Sequence, residues 1–473
     1  MATHDRPIVF VEETRPLPRP ITDVETAIPA FIGATEKASS AIERGNAVDP
    51  AGSANTDLLL KPTLIRSMRD FEEFFGDAGA VGATVHVTEK AGAYAAIRVD
   101  DPTTYYPLYF AVRLFFDNGG QRCYVVSVGT RHTLAPVPTL ASLTSGVDAV
   151  AAEEEPTLIV VPEAVSLPRA DYATLAASII AQCARRRDRF AIFDLFDGAN
   201  PNVDIAAARA AFPTSRDLQF AAVYYPFLRT TLAYPYVEHD GKSNALVVLG
   251  QSEPVDVASV AATNPALYDV ATTALGNHRV TVPPSAAVAG VYASTDAARG
   301  VWKAPANVPL ESVVEPSVAI DSQTTERLHV DTAEGKSINT IRAFTGRGTL
   351  VWGARTLAGN DNEWKYVPVR RFFTLVEQSI YKGTQWVVFE PNDATTWAMA
   401  RASIENYLLD KWKQGALLGA KAEEAFFVKC GLGTTMTAQD IADGRLVVEI
   451  GMAPIRPAEF VILRFAHRMQ PPP

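Results

Sequence analysis

An alternation of strand-like and helical runs between residues 157 and 235 constrains the fold of this chain more than any other feature. The apolar runs TLIVVPE, FAIFDLF and FAAVYYPFL are separated by two helical runs, at 171–187 and 203–212. Strands that alternate with helices pair in parallel, because each helix carries the chain back along one face of the sheet. The pattern therefore predicts a doubly wound β-α-β-α-β unit within an α/β fold.

Sheets of this kind often bind ligands beyond the carboxyl ends of their strands, so these positions bear on whether the unit is an enzyme. The first strand is followed by PEAV (162–165), where a dinucleotide-binding protein has G-x-G-x-x-G, and neither a P-loop nor a G-x-S-x-G elbow occurs. Asp194, Asp197 and Asp204 could form an acidic site, but strand ends and helix caps explain isolated aspartates more simply. We predict no catalytic residues and no cofactor.

Metal-binding signatures are also missing from the sequence. Cys123, Cys183 and Cys430 lie far apart without a C-x-x-C pair, and the seven histidines show no H-E-x-x-H or H-x-H spacing. The acidic run at 153–155 has no spaced partner ligands, and a solvated turn explains it. We predict neither a metal site nor a disulfide framework.

Length and charge limit the remaining function classes. A chain of 473 residues is too long for one ordinary core, so two or three domains are expected. A net charge of −10 argues against general nucleic-acid binding, which needs clustered Lys and Arg. No apolar run is long enough to span a bilayer, and the N-terminus lacks the apolar core of a signal peptide. We expect a protein made and assembled in the cytoplasm, with no nucleic-acid partner and no direct membrane insertion.

A second folded region, of α+β type, is predicted toward the C-terminus. The segments TLVWGART (349–356) and QWVVFE (385–390) are rich in β-branched and aromatic residues and predict strands. Apolar residues at helical spacing predict a helix over 367–381, with Pro368 in its first turn.

A further helix is predicted over 395–414, with Asn392 or Asp393 as its cap. It is amphipathic, which indicates a helix lying on a sheet. Its polar side carries Arg401, Lys411 and Lys413. Two interpretations of these cations stay open, since they could solvate the helix or contact a partner.

The two ends of the chain are predicted to be strands without local partners. The run PIVFVEE (7–13) precedes the proline-rich spacer RPLPRP, which cannot be helical, and a second strand-like run follows at 27–33. The run FVILRF (460–465) comes just before the end of the chain. Such strands pair either at an edge of their own subunit or with another chain.

Short motifs are spread along the chain, namely FFDNGGxxCYVV (115–126), VWKAPAN (301–307), Asn339, Arg342, GRG (346–348), WGART (352–356), VPVRR (367–371), FEPN (389–392) and PAEF (457–460). Together, and in this order, they resemble contractile tail sheath proteins, found in contractile phages and phage-tail-like injection systems. The resemblance covers roughly 1–33, 62–130 and 286–465.

The resemblance implies a structural subunit that polymerises as stacked hexameric rings around an inner tube. Contraction of the sheath would drive the tube through a target envelope, with the energy stored in subunit packing and no nucleotide needed. The implied partners are further copies of the chain, the inner tube protein, and baseplate and terminal cap proteins. The implied setting is the bacterial cytoplasm for assembly, followed by a phage tail or a phage-tail-like particle that some cells release.

The resemblance also assigns roles to segments and residues. The arms that add strands to neighbouring subunits would be formed by Ile8, Val9, Phe10, Val11, Phe460, Val461, Ile462, Leu463 and Arg464. Ile8 and Phe10 stand where the family usually has glycine and tyrosine. By analogy, the helix at 394–414 would face the tube through Arg401, Lys411 and Lys413.

The domain scheme that follows has six parts. They are an N-terminal arm (1–33), a first sheath part (34–130) with a polar insertion at 34–61, an outer α/β domain (131–285), a return segment and hinge (286–337), an inner domain (338–454) and a C-terminal arm (455–473). Two alternatives stay open: an α/β ligand-binding enzyme without a recognisable motif, and a different capsid-like or baseplate structural protein.

Overall fold

The computed structural model describes residues 20–40, 57–79, 82–90, 93–100, 102, 107–130, 138–236, 244–248 and 254–459. These residues form two compact units. The larger unit contains the described residues of 25–374 together with 456–459, and the smaller unit contains 20–24 and 375–455. The predicted mixture of α/β and α+β structure in a multi-domain chain is confirmed.

Strands and helices are numbered along the chain. The strands of the larger unit are β1 (Pro29–Thr35), β2 (Thr63–Ile65), β3 (Thr84–Lys90), β4 (Ala93–Val99), β5 (Cys123–Thr130), β6 (Leu158–Val160), β7 (Phe190–Asp194), β8 (Ala221–Tyr225), β9 (Leu228–Ala233), β10 (Ala245–Val248), β11 (Val255–Asp256), β12 (Arg279–Val282), β13 (Val308–Pro309), β14 (Val313–Pro316), β15 (Asn339–Phe344) and β16 (Gly348–Trp352). Its helices are α1 (Met68–Phe75), α2 (Pro107–Asp117), α3 (Leu140–Ala151), α4 (Arg169–Arg186), α5 (Ile205–Arg209), α6 (Pro265–Asn277), α7 (Ser285–Arg299) and α8 (Ser322–His329). Helix α9 (Val367–Gly383) begins in the larger unit, and the smaller unit continues with α10 (Ala394–Lys413), α11 (Ala422–Ala425), β17 (Phe426–Lys429), α12 (Ala438–Ala442) and β18 (Glu449–Met452).

Six parallel strands form the centre of a nine-stranded sheet, in the order β5-β1-β6-β7-β8-β15. Antiparallel strands extend it, with β2 beside β5 and with β16 and then β13 beyond β15. The predicted parallel unit is confirmed, because β7 pairs in parallel with both β6 and β8. The direction of strand addition reverses between β1 and β6, and this reversal is where doubly wound sheets place their ligands.

Apolar side chains cover both faces of this sheet, as a buried parallel sheet requires. Along β1, Phe31 packs in the core that contains α2 and α7. Its neighbour Ile32 packs in the core that contains α3 and α4. Full burial of each such side chain contributes about 1.5–3 kcal/mol. The two cores therefore lie on opposite sides of the sheet.

Strand β1 lies in a different place from the one the sequence predicted. The predicted N-terminal arm ran to residue 33, but all seven residues of Pro29–Thr35 are buried, between β5 and β6. The parallel unit at 157–235 leaves the edge of β6 unpaired, and β1 covers that edge. The predicted boundary after residue 130 likewise falls inside one sheet, because β5 and β6 both pair with β1.

Local sequence signals place several helix ends. The backbone N–H of Asp70 donates to Ser67 Oγ at 3.2 Å, so Ser67 is the N-cap of α1. Helix α2 ends at Asp117, and Gly119 then takes a φ of +96°, a left-handed value that favours glycine. Phe71 and Phe75 of α1 are buried, as expected for core residues.

Two smaller sheets complete the larger unit. Strands β11, β10, β3 and β4 form a four-stranded sheet whose core includes residues of α6. Strands β12, β9 and β14 form a three-stranded sheet. No helix in the described ranges is long and apolar enough to cross a membrane.

The smaller unit contains the predicted amphipathic helix. Asp393 accepts hydrogen bonds from the N–H groups of Thr395 and Thr396, so it is the cap of α10. Ile404 and Leu408 are buried, whereas Trp397 and Trp412 are only partly buried. Strands β17 and β18 pair in antiparallel register, from Phe426↔Met452 to Lys429↔Glu449.

The strand predicted at QWVVFE is wrong. Gln385–Val387 forms a short 3-10 helix, and Phe389 has a φ of +69°, which lies outside the strand region. β-branched and aromatic residues favour a strand only where a neighbouring strand and a core surface receive them. Among the described strands, none pairs with this segment.

Candidate functional site

The buried side chain of Glu163 lies at the strand reversal between β1 and β6. This residue follows β6, and its Oε2 accepts a hydrogen bond from the backbone N–H of Ala34 at 2.9 Å. A Cβ atom at Gly33 would lie 3.0 Å from Glu163 Oε1, so a larger residue here would require the Glu163 carboxyl to shift. Burial raises the pKa of Glu163 to about 8, against the opposing effect of the Ala34 and Leu108 N–H groups. The place where a doubly wound sheet binds a ligand therefore holds a protonated carboxyl of the protein itself.

Glu163 makes the stability of the larger unit depend on pH. A carboxyl group whose pKa is higher in the folded than in the unfolded state costs stability as pH rises from about 4.5 to about 8. A pKa shift of this size lowers the free energy of unfolding by about 5 kcal/mol between pH 4.5 and pH 8. We expect Glu163→Gln to match the wild type near pH 5 and to exceed it at pH 9 by a few kcal/mol.

Urea denaturation at both pH values measures this difference, and the wild type is the matched control because Asp194 titrates in both proteins. If the variant and the wild type differed in free energy of unfolding by the same amount at pH 5 and at pH 9, the burial of the Glu163 carboxyl would be contradicted.

The three aspartates that could have formed an acidic site each bind protein groups. Asp194 accepts from the N–H and the Oγ of Ser285, both at 2.6 Å, at the start of α7. Burial raises its pKa to about 7, although the Ser285 hydrogen bonds oppose the rise. Asp204 caps α5, and Asp197 accepts from Asn200. No group of three or more His, Cys, Asp or Glu side chains in the described ranges could hold a metal ion.

The first described residues of the chain are fixed within the smaller unit by an N-terminal anchor. Asp23 accepts a hydrogen bond from Tyr407 at 2.7 Å and forms an ion pair with Lys411. The N–H of Val24 donates to Ser379 Oγ at 3.0 Å. Burial, together with the hydrogen bond to Asp23, raises the pKa of Tyr407. The chain is thus held by α9 and α10 directly before it enters the larger unit.

A buried ion pair holds the next residues of the chain within the larger unit. Arg371 of α9 and Asp296 of α7 form a two-pronged pair in which both side chains are almost fully buried. Thr26 Oγ1 donates to Asp296 at 2.6 Å, and the Thr26 carbonyl accepts from Arg371 at 2.9 Å. The Arg371 guanidinium also lies 4.7 Å from the centre of the Tyr292 ring. The pair fixes the backbone just before β1.

The last described residues are fixed by a C-terminal anchor in the larger unit. The carboxylate of Glu459 accepts from Arg355 Nε at 2.8 Å, from Arg355 Nη2 and from the hydroxyl of Tyr366 at 3.1 Å. Arg355 Nη1 donates to the carbonyl of His329 at 3.1 Å. Asn339 bonds both the N–H and the carbonyl of Arg355, each at 2.7 Å. The anchor thus joins β15, the turn after β16 and the end of the described chain.

The charges of the C-terminal anchor hold it ionised. Burial alone would raise the pKa of Glu459, but the hydrogen bonds and charge of Arg355 outweigh burial and lower it. Burial, followed by the charge of Arg355, lowers the pKa of His329 to about 4. His329 is therefore neutral at pH 7, and the ion pair between Arg355 and Glu459 carries the charge of the anchor.

The ribbon formed by β17 and β18 has two sides of different character. Val428 is buried, and Ile450 lies directly opposite it. On the other side Phe427 is exposed and lies across Gly451, where a Cβ atom would come within 2.2 Å of the Phe427 ring. In the described part of the chain no third strand pairs with either edge of this ribbon.

Two family descriptions match consecutive parts of the chain: "Phage tail sheath protein central domain" at residues 228–357 and "Phage tail sheath C-terminal domain" at 359–468. The chain is also 30% identical to the sheath of an extracellular contractile injection system, PVC, in its contracted state, with a TM-score of 0.63 over 98% of both chains. The chain belongs to the contractile tail sheath family. This sheath protein is also similar to the contracted helical sheath of the anti-feeding prophage. The two are 31% identical, with a TM-score of 0.61 over 98% of this chain and 99% of that one.

Curated sheath relatives match a smaller part of this sheath protein. It is 27% identical over 180 residues to a putative prophage major tail sheath protein of Pseudomonas aeruginosa; the aligned residues make up 37% of this chain and 44% of that protein. It is 26% identical over 185 residues to the tail sheath protein of Vibrio phage KVP40; the aligned residues make up 39% of this chain and 26% of that protein. The chain therefore spans less than half the length of these relatives.

The structure shows why several sheath motifs occur together. Asn339, the WGART segment and the PAEF segment were recognised as separate strings, and they meet in the C-terminal anchor. The VPVRR segment supplies Arg371 to the pair with Asp296. The sequence alone did not predict these ion pairs. Its only signal was that short motifs contain arginines and an acid, such as Arg355 and Glu459.

The three cations of α10 lie in two different environments. Lys411 is almost fully buried within the smaller unit and pairs with Asp23, so it is not a surface residue of that unit. Arg401 and Lys413 are exposed, 3.6 Å from Glu405 and 3.8 Å from Asp410. Exposed pairs of this kind contribute little to stability. Lys411 therefore belongs to the N-terminal anchor.

The predicted arm strands lie outside the described residues. These are Ile8, Val9, Phe10 and Val11 at one end and Phe460, Val461, Ile462, Leu463 and Arg464 at the other. Their assignment as arms stays a prediction.

Proposed function

We propose that this chain is the sheath subunit of a contractile injection machine. Copies of it polymerise as stacked hexameric rings around an inner tube, in the bacterial cytoplasm, and contraction drives the tube through a target envelope. Baseplate and terminal cap proteins complete the particle. Support comes from the similarity to contracted injection-system sheaths along nearly the whole chain.

The structural feature that best supports the proposal is the ribbon of β17 and β18, which has no third strand among the described residues. A two-stranded ribbon alone is marginally stable in water, and its edges offer unpaired N–H and C=O groups. Strands from the arms of two neighbouring subunits would extend it to four strands. Main-chain hydrogen bonds would then join three subunits while their folded units repack during contraction.

The two anchors set how far each arm can reach. Phe460 follows Glu459 directly, so the C-terminal strand starts at its anchor. Ile8 lies twelve positions before Pro20, which allows the N-terminal strand a distance of at most about 40 Å from the described chain. We therefore expect the C-terminal arm to serve a nearby subunit and the N-terminal arm a more distant one.

A structural role without catalysis is part of the proposal. The relatives named above are sheath proteins. In this chain the strand reversal holds the buried carboxyl of Glu163, which disfavours a nucleotide-binding enzyme. The alternative packings of the folded units would supply the energy of contraction.

Negative-stain electron microscopy of the purified protein tests the proposed function. Hollow helical cylinders are expected from the protein alone, or from its co-expression with tube and baseplate proteins. Particles that form without incorporating this chain would contradict the proposal.

We also propose that α10 faces the tube, with Arg401 and Lys413 as its contacts. Charged contacts suit a surface that must release the tube, because exposed ion pairs are weak and are screened by salt. The double variant Arg401→Glu and Lys413→Glu should fold normally and lose at least about tenfold in affinity for preassembled tubes at low salt.

Co-sedimentation with tubes at low and high salt measures this loss. The matched control is Lys61→Glu with Arg66→Glu, which makes the same charge change at exposed sites of the larger unit. Equal loss in both double variants would show a general charge effect and would contradict the assignment of α10.

A further inference from the structure

Phe389 is the most exposed large apolar residue in the described chain, with a relative exposure of 102%. It also has a φ of +69°, in the left-handed region that a side chain without a short polar group rarely adopts. Full exposure of an aromatic ring and a strained backbone both cost free energy in the isolated subunit. Strain of this kind persists where surrounding structure imposes it, and it is concentrated at functional sites.

The segment that carries Phe389 is held firmly. The N–H of Glu390 donates to the Val387 carbonyl at 3.1 Å. Asn392 accepts from Trp397 Nε1 at 2.7 Å and donates to the carbonyl of Arg445 at 3.0 Å. The ring is therefore presented by a fixed turn, and little conformational entropy would be lost when a partner covers it.

Further exposed apolar residues lie on segments joined to this turn. Asn392 connects the turn to Arg445, and Thr435 Oγ1 donates to the carbonyl of Val447 at 2.7 Å. Val447 and Leu432 are both exposed. The smaller unit also contains most of the exposed large apolar residues of the described chain, namely Tyr381, Val388, Phe389, Leu418, Phe427, Leu432 and Val447. The exposed apolar side chains of the described chain are therefore concentrated in the unit that carries Phe389.

We propose that Phe389 is the apolar anchor of a contact between two copies of this chain in the assembled sheath. The inference rests on the proposed function, which requires each subunit to contact other copies. The tube contact must release during contraction, and exposed charges suit it. A fixed aromatic ring suits a contact that persists, because aromatic residues at the centre of an interface carry a large share of its binding energy. A contact between unlike surfaces of identical subunits also generates an open helical array.

A photo-crosslinker tests the partner directly. p-Benzoylphenylalanine in place of Phe389 is incorporated into particles produced with the complete set of tube and baseplate proteins, and mass spectrometry identifies the crosslinked peptide. The expected product joins two sheath subunits. Crosslinks only to the tube protein, or no crosslink in intact sheath, would overturn the inference.

Substitutions test the energetic role. Phe389→Ala should raise the critical concentration for sheath assembly at least about tenfold. Phe389→Gly should do the same while raising the melting temperature of the unassembled subunit, because glycine relieves the strain. The matched control, Ile97→Thr, removes an exposed apolar side chain from β4 and should assemble normally.

The outcomes separate this inference from the proposed function. Wild-type protein that never enters a sheath would contradict the function itself. Assembly of the Phe389→Ala and Phe389→Gly variants at the wild-type concentration, beside a wild type that assembles, would contradict only the contact at Phe389.

Discussion

Deletion of residues 1–19 is expected to leave a folded subunit that no longer forms sheath. The N-terminal anchor at Asp23 and all of β1 remain in this variant, so the larger and smaller units keep their described contacts. What is lost is the strand-forming run around Val9, which would supply main-chain hydrogen bonds to a neighbouring ribbon. Circular dichroism and thermal melting should match the wild type, and electron microscopy should show no cylinders.

The control deletion removes a stretch of similar length elsewhere. Residues 41–56 are polar, and the residues that flank them lie close together, because Ser40 N–H donates to Asp57 at 3.0 Å. Replacement of 41–56 by two glycines should therefore preserve both folding and assembly. Cylinders formed by the protein without residues 1–19 would show that the N-terminal segment does not link subunits.

Replacement of Arg371 by methionine is expected to have the largest effect on the stability of the larger unit. The substitution leaves Asp296 buried with only the Thr26 hydroxyl as a partner, and the Thr26 carbonyl loses its donor. Removal of one member of a buried ion pair costs about 3–5 kcal/mol, because an uncompensated charge stays in the interior. Urea denaturation, monitored by a spectroscopic probe in the larger unit, measures the loss of stability as a lower midpoint.

The double variant Arg371→Met with Asp296→Leu separates the ion pair from its surroundings. Replacement of a whole buried pair by apolar residues is often close to neutral. We therefore expect the double variant to recover most of the stability that Arg371→Met loses. A single variant that loses less than about 1 kcal/mol would mean that the pair is open to solvent.

The sequence predicts those parts of the fold that depend on neighbouring residues. The strands β6, β7 and β8 follow from apolar runs separated by helical runs, and the start of α10 follows from Asp393. The place of β1 does not follow, because its partner β6 begins more than a hundred residues later. Strand partners at such distances depend on how the whole sheet is assembled.

The errors in the smaller unit have the same origin. The composition of QWVVFE favours a strand, but no described strand receives it, and the chain turns instead. Lys411 has the spacing of a surface residue on α10, yet Asp23, 388 residues away in sequence, neutralises it and allows its burial. A helical pattern shows which residues share a face, but it does not show what that face meets.

The candidate site was recognised in pieces. Arg355 and Glu459 were each identified within family motifs, but their ion pair spans 104 residues and could not be read from either motif. The structure adds that charged anchors hold the first and the last described residues of the chain. This gives the predicted arms fixed starting points.

Helical reconstruction of the assembled sheath by electron cryomicroscopy would show whether arms of neighbouring subunits complete the ribbon of β17 and β18. The expected result is a four-stranded sheet on every smaller unit, in which β17 and β18 are flanked by one strand from residues near Val9 and one from residues near Ile462, traced to two different neighbours. A ribbon that stays two-stranded in the sheath, or that is completed by the arms of its own chain, would contradict it.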